Sequence, residues 1–210
     1  DRGVLPPGLR HSQWIGVDGV QCLVQEIKDR ALPLKSELAD YMIFPLLVHE
    51  SVDMGIKEEI LGGRLTQDSI SSRWFVEGIA DFCAYMAVLR YQKKAVARMK
   101  KAYLELLGKS AAATLDLASE ELWWPKGGTG RPEDVIHAYA AAHYLVSSLS
   151  REKGPQWIRR TLEGLKRERK GSKTTSGDFC RIARPIVDED IGTLIRQVKA
   201  DDVRRFAESL

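Results

Sequence analysis

The sequence predicts a mainly α-helical fold. Three observations carry that reading. Apolar residues recur at i, i+3, i+4 and i+7 through most of the 210 residues. Proline and glycine clusters cut the chain into pieces of helix length. No alternation of strand-like and helix-like segments supports a parallel sheet. Strands are expected to be few or absent, short, and near the N-terminus before residue 35. The length suits one good-sized domain or two small ones, and no linker-like stretch argues for the second. Residues 1–210 are therefore read as one unit, with an irregular lead-in over 1–16, a core over 17–165 and C-terminal helices over 166–210.

Each element has its own signal. The lead-in carries "LPPG", a poor start for any regular element. Residues 17–32 place Val20, Leu23, Val24 and Ile27 on one helical stripe, and Pro33 ends it. Ser36 with Glu37 opens a second helix, "SELADYMIFPLLVHESVDMGI", whose centre is almost wholly apolar. Pro45 is expected to kink or restart it one turn before His49. "LGG" at 61–63 marks its end region. A long helical stretch covers 68–108, with room for one break. Residues 123–134, "WWPKGGTGRPED", read as a loop. Helices follow over 135–153 and 155–169, separated by Gly154-Pro155. "GSKTTSGD" is a loop, and the chain is helical again from Asp188.

Composition is that of an ordinary globular chain, 44% hydrophobic and 29% charged. No apolar run approaches the ~20 residues of a membrane span. Net charge is +3 on 61 charged groups, too mild to imply a polyanionic partner. The basic runs at 91–101 and 159–170 carry apolar residues at helical spacing, so they read as solvated helix faces. Without aromatic-rich binding motifs beside them, nucleic acid is not expected as a partner. Cys22, Cys83 and Cys180 are odd in number and far apart, which argues against a disulfide framework or a thiolate metal site. The first residue is Asp, not Met. Removal of a signal peptide, with an extracytoplasmic or secreted location, and simple trimming both fit. Oligomeric state is not legible in the sequence.

The chemistry concentrates at "LLVHESVDMG" (46–55). His49 and Asp53 lie one helical turn apart and can face one metal ion. Glu50 lies ~100° further round, by the 3.6-residue period, and is left to act on a water as general base. No other charged residue falls between 41 and 56. Ionisable groups on so apolar a helix are costly to bury unless something satisfies them, and a divalent cation would. Downstream, "RWFVEGIADF" (73–82) sets Glu77 and Asp81 at i and i+4 on another apolar helix.

With these two segments the chain resembles the gluzincin metallopeptidases, the clan of thermolysin and the zinc aminopeptidases. Their His-Glu-x-x-His helix is paired with a later Glu-x-x-x-Asp helix. The resemblance implies a zincin-like helical peptidase domain, a bound zinc, and a peptide or protein substrate. It implies His49, Asp53 and Glu77 as metal ligands, Glu50 as general base, and Asp81 as the residue orienting His49 through Nδ1. "W-x-x-E-G-x-A-D" (74–81) carries the resemblance most closely. The helix from Tyr139 resembles the tyrosine-led helix of the zinc aminopeptidases, which implies Tyr139 as a donor to the oxyanion. Ala140, Ala141 and Ala142 replace the Glu-Lys-Gly that follows that tyrosine in the clan. Tyr144 is an alternate, and His143, one turn after Tyr139, either packs in the helix or faces the substrate cleft. The likeness spans 36–165.

The departure is Asp53, which stands where the clan has a second histidine. Aspartate binds zinc through a hard oxygen. The resulting set is more anionic, so Mn²⁺, Fe²⁺ or Ca²⁺ competes better. Two further readings follow. Asp53 could mark an inactive, peptidase-like binding or scaffold module, and the basic runs an unrelated helical binding protein. No Gly-Ala-Met-Glu-Asn-type motif is present, so nothing points to an aminopeptidase as such.

Overall fold

The structure, a computed structural model, describes residues 36–60, 70–93, 113–123, 132–168 and 176–210, with isolated positions between 96 and 104. The expected lead-in, the helix over 17–32, the region before 35, the "LGG" stop and most of the 123–134 loop lie outside the described residues. In chain order the elements are α1 (Ser36–Gly55), a π-helical turn (Ile56–Ile60), α2 (Ile70–Tyr91), β1 (Thr114–Leu115), α3 (Glu120–Trp123), α4 (Pro132–Lys153), α5 (Gln156–Glu168), α6 (Ser176–Val187), α7 (Ile191–Leu194), β2 (Val198–Lys199) and α8 (Ala200–Ser209).

The mainly helical expectation holds for these residues. Helix α1 runs through Pro45 without a restart. Proline removes one hydrogen bond to the preceding turn, and packing of α1 along α2 keeps the segment helical. Among the described residues two short strands occur. β1 and β2 pair antiparallel, Thr114 with Lys199 and Leu115 with Val198, far from the N-terminus. Two-residue strands have no period to read, which is why the sequence hides them. The "GSKTTSGD" loop also gives way earlier than expected, because α6 already begins at Ser176. Asp188 is not the start of a helix but the end of one, in the left-handed region at φ 53°. Gly154, at φ 77°, closes α4 as expected.

Helix α2 is the central element, packed on α1 along one side and on α4 along another. Trp74, Phe75, Val76, Ile79 and Ala80 are buried along it. The approach to α4 depends on small residues. Ala138, Ala140, Ala141 and Ala142 of α4 are fully buried. A Cβ on Gly78 would lie 2.6 Å from the Ala142 carbonyl oxygen, so only glycine fits at this crossing. Beyond it, Trp74, Phe75 and Phe179 stack as an aromatic group, with Phe75 and Phe179 centroids 4.1 Å apart and Trp157 beside them. Trp157 satisfies its indole N–H on Ser150 Oγ at 3.0 Å. One continuous apolar cluster runs from Ile56 to Ala207 through these residues.

The basic run at 159–170 is a solvated face over its described part. On α5, Trp157, Ile158, Thr161, Gly164 and Leu165 are buried while Arg159, Arg160, Lys166 and Arg167 are exposed. Among the described residues no helix is long and apolar enough to cross a membrane.

Candidate functional site

The polar residues singled out on α1 and α2 meet where those helices pack. His49 Nδ1 lies 2.8 Å from Asp81 Oδ1, and His49 Nε2 lies 3.2 Å from Glu77 Oε2. Helical spacing explains the pairing. Glu77 and Asp81 stand one turn apart on α2, so both reach the ring that α1 presents. Burial works against charge on this ring. The hydrogen bonds and charges of Asp81 and Glu77 outweigh it and raise the His49 pKa well above its ordinary value. A doubly protonated ring donates from both nitrogens.

Two cations, not singled out from the sequence, hold the carboxylates from outside. Arg73 donates from Nε to Glu77 Oε1 at 3.2 Å and from Nη2 to the Tyr139 hydroxyl at 3.2 Å. Its guanidinium also lies over the Trp123 ring, 5.2 Å from the centroid. Lys57, on the π-turn, donates to Asp53 Oδ2. Both could have been found from spacing: Lys57 is four residues after Asp53, and Arg73, Glu77 and Asp81 form an i, i+4, i+8 stripe.

The two buried carboxylates respond in opposite directions. Burial alone would raise Glu77, but His49, Lys57 and Arg73 hold it down to about 2. Asp53 is raised by burial and by the neighbouring charge of Glu77, and Lys57 only partly offsets this. Asp53 Oδ1 is buried without a hydrogen-bond partner. Glu50 is also buried, 5% exposed, beside the same residues of α1.

Tyr139 reaches this cluster from α4. Its ring lies 6.1 Å from the His49 ring and 5.6 Å from that of Trp123. Burial raises its phenol pKa, and the Glu77 charge adds to the shift. The hydroxyl therefore stays protonated. It accepts from Arg73 and keeps its own proton to donate. Trp123 is buried and anchors its indole N–H on the Leu117 carbonyl at 2.9 Å, so it packs behind Tyr139.

His143 and Tyr144 lie against Phe206, and His143 also feels the charges of Asp81 and His49. His143 is fully buried between Tyr85 and Phe206, with centroids 5.5 and 5.0 Å away. Burial lowers its pKa to about 4, so it is neutral. Its side chain has no exposed surface, in keeping with the packed alternative. Tyr144 lies against the same Phe206 ring, at 5.8 Å. It points ~140° round the helix from Tyr139, by the 3.6-residue period.

The donor types fit a divalent cation, with one imidazole and two carboxylates. Each is held from outside through one atom, as ligands commonly are: His49 by Asp81, Glu77 by Arg73, Asp53 by Lys57. The remaining atoms are His49 Nε2, Glu77 Oε2 and the orphaned Asp53 Oδ1. The first two are hydrogen-bonded to each other at 3.2 Å. Among the described residues, no group of three or more His, Cys, Asp or Glu stands in a geometry that could hold a metal ion. No family model, curated protein or solved structure matches the chain.

Proposed function

We propose that this chain is a gluzincin-like, metal-dependent peptidase. The single observation that carries the reading is the outer grip on all three candidate ligands, above all Asp81 on His49 Nδ1. The Asp81 contact is the one the resemblance implies, while those of Arg73 to Glu77 and of Lys57 to Asp53 are additional.

In this reading those three residues hold zinc or another divalent cation. The chemistry such a cation would supply is polarisation of a carbonyl and acidification of a water. Glu50 would serve as the general base, taking a proton from an attacking water and passing it to the leaving amine. Tyr139 donates its retained proton in a hydrogen bond to the oxyanion. Arg73 fixes the phenol by donating to its oxygen. The apolar walls of α1 and α2 keep bulk water from these groups.

The test is hydrolysis of a mixed peptide library by zinc-loaded protein. Cleavage is expected, with a loss of at least about a hundredfold in Glu50→Gln. A Glu50→Gln protein as active as the parent would refute the assignment. A second reading, an inactive peptidase-like binding module, is favoured by the Lys57–Asp53 ion pair, which neutralises the variant position without a metal. A melting temperature indifferent to chelator and to added zinc supports that reading. A rise on zinc addition opposes it.

A further inference from the structure

We propose that α8 is an acid-releasable strap, docked over the His143 ring and lifted from α4 when that ring takes a proton. Its operation is independent of any bound metal.

His143 is the buried end of the device. It is 0% exposed, with Tyr85 of α2 against one side and Phe206 of α8 against another. Phe206 meets it edge to face, at 86° and 5.0 Å between centroids. The same Phe206 ring packs on Tyr144, the next residue of α4. Lifting α8 therefore takes one wall from the imidazole and lets water reach it. Water stabilises an imidazolium more than the aromatic faces that it replaces. Two charges are felt at His143: Asp81 of α2 favours the proton, and His49 of α1 opposes it. Tyr85 and Tyr144 are the titratable neighbours on α2 and α4. On α8 itself, Asp201, Asp202, Arg204, Arg205 and Glu208 are exposed or half-buried. Burial outweighs Asp81 and holds the docked ring down to about 4. A ring opened to water titrates near the ordinary ~6.5. The docked value is the lower one, so docking weakens as pH falls below about 6.5.

The attachment of α8 is slight. Its ten residues are too few to persist as a helix alone in water, so undocking and unwinding are one event. Val203, Phe206 and Ala207 are its buried residues. Its N-cap, Lys199, makes no side-chain capping bond. At the far end Lys100 donates to the Glu208 carbonyl, in an exposed contact. The base of the strap is firmer. β2 pairs with β1, and the Ala200 N–H donates to the Ala113 carbonyl at 3.1 Å. The hinge therefore falls just after Ala200. Helix α4 cannot leave in place of α8, because Ala138, Ala140, Ala141 and Ala142 seat it fully in the core.

The experiment is residue-resolved amide hydrogen exchange at pH 7.5 and 5.0, corrected for the intrinsic pH dependence of exchange. It uses the whole chain, as the parent, His143→Gln and His143→Asn. Two results are expected together. Amides of residues 203–207 exchange through an opening easier than the one that exposes the amides of α4. That opening is about tenfold or more more populated at pH 5.0 than at 7.5 in the parent, and changes by under about twofold in either neutral variant. Three results overturn the inference: α8 amides no easier to expose than those of α4, an α8 opening indifferent to pH in the parent, or a rise that persists in a neutral variant. The parent alone supplies a further check if neither variant folds. Its His143 imidazole, followed by NMR, is expected to titrate below pH 5, and titration near 6.5 also overturns the strap.

Discussion

Helix α2 has two faces that do opposite work. One carries Arg73, Glu77 and Asp81, joined to α1 and α4 by directed polar bonds. The other carries Trp74, Phe75 and Gly78, joined to α4 and α6 by apolar packing. Apolar burial contributes most of the stability and tolerates small displacements. Buried ion pairs repay little beyond their own desolvation, but they fix atoms in place. The fold therefore rests on one face of the helix, and the buried polar cluster is held on the other.

The largest effect should come from the apolar face. Phe75→Ala removes a ring in contact with Trp74, Trp157 and Phe179. It should cost about 3–5 kcal/mol, read by urea unfolding. A loss below 1 kcal/mol would show that this face is not the stability centre. Next comes pH, which separates the two histidines. His143 titrates near 4 when folded and near 6.5 when unfolded. The unfolded chain binds more protons in that window, so stability falls as pH drops from about 6.5 towards 4, by about 3 kcal/mol. His143→Asn should flatten the slope. His49 acts in a separate window. Its raised folded value contributes stability that is full below the unfolded value and is lost as pH rises through the folded one.

Gly78→Ala tests the crossing of α2 and α4. The added methyl meets the Ala142 backbone, which cannot swing aside, and should cost about 1–3 kcal/mol. Wild-type stability there would mean that the helices separate easily. The smallest stability change is expected for Arg73→Lys, under about 1 kcal/mol, because the charge remains. Lysine reaches Glu77 or Tyr139 but not both, so kcat should fall about tenfold or more while the melting temperature holds. An unchanged kcat would separate Arg73 from the chemistry.

Long periodic segments were legible in the sequence because burial enforces their period. The α1, α2 and α4 helices were expected close to where they stand. The meeting of His49 with Glu77 and Asp81 was legible through the resemblance, which pairs their two helices, while spacing alone set only Glu77 and Asp81 on one face. Lys57 and Arg73 were not singled out. Their one-turn spacing from Asp53 and Glu77 was a readable signal, but a weak one, because a basic residue four positions from an acid is common on any helix face. The β1–β2 pair escaped because its two-residue strands meet through chain-distant contacts. His143 was ambiguous because a histidine on an apolar helix face reads alike whether it meets a cleft or two aromatic rings.

The central claim is that the polar face of α2 holds a metal with α1. Zinc stoichiometry of the purified protein tests it most directly, measured by elemental analysis after zinc loading and gel filtration, on the parent and on Glu77→Gln. One zinc per chain is predicted for the parent, largely lost in Glu77→Gln. A parent that retains no divalent cation, or a Glu77→Gln protein that retains zinc as the parent does, would contradict it.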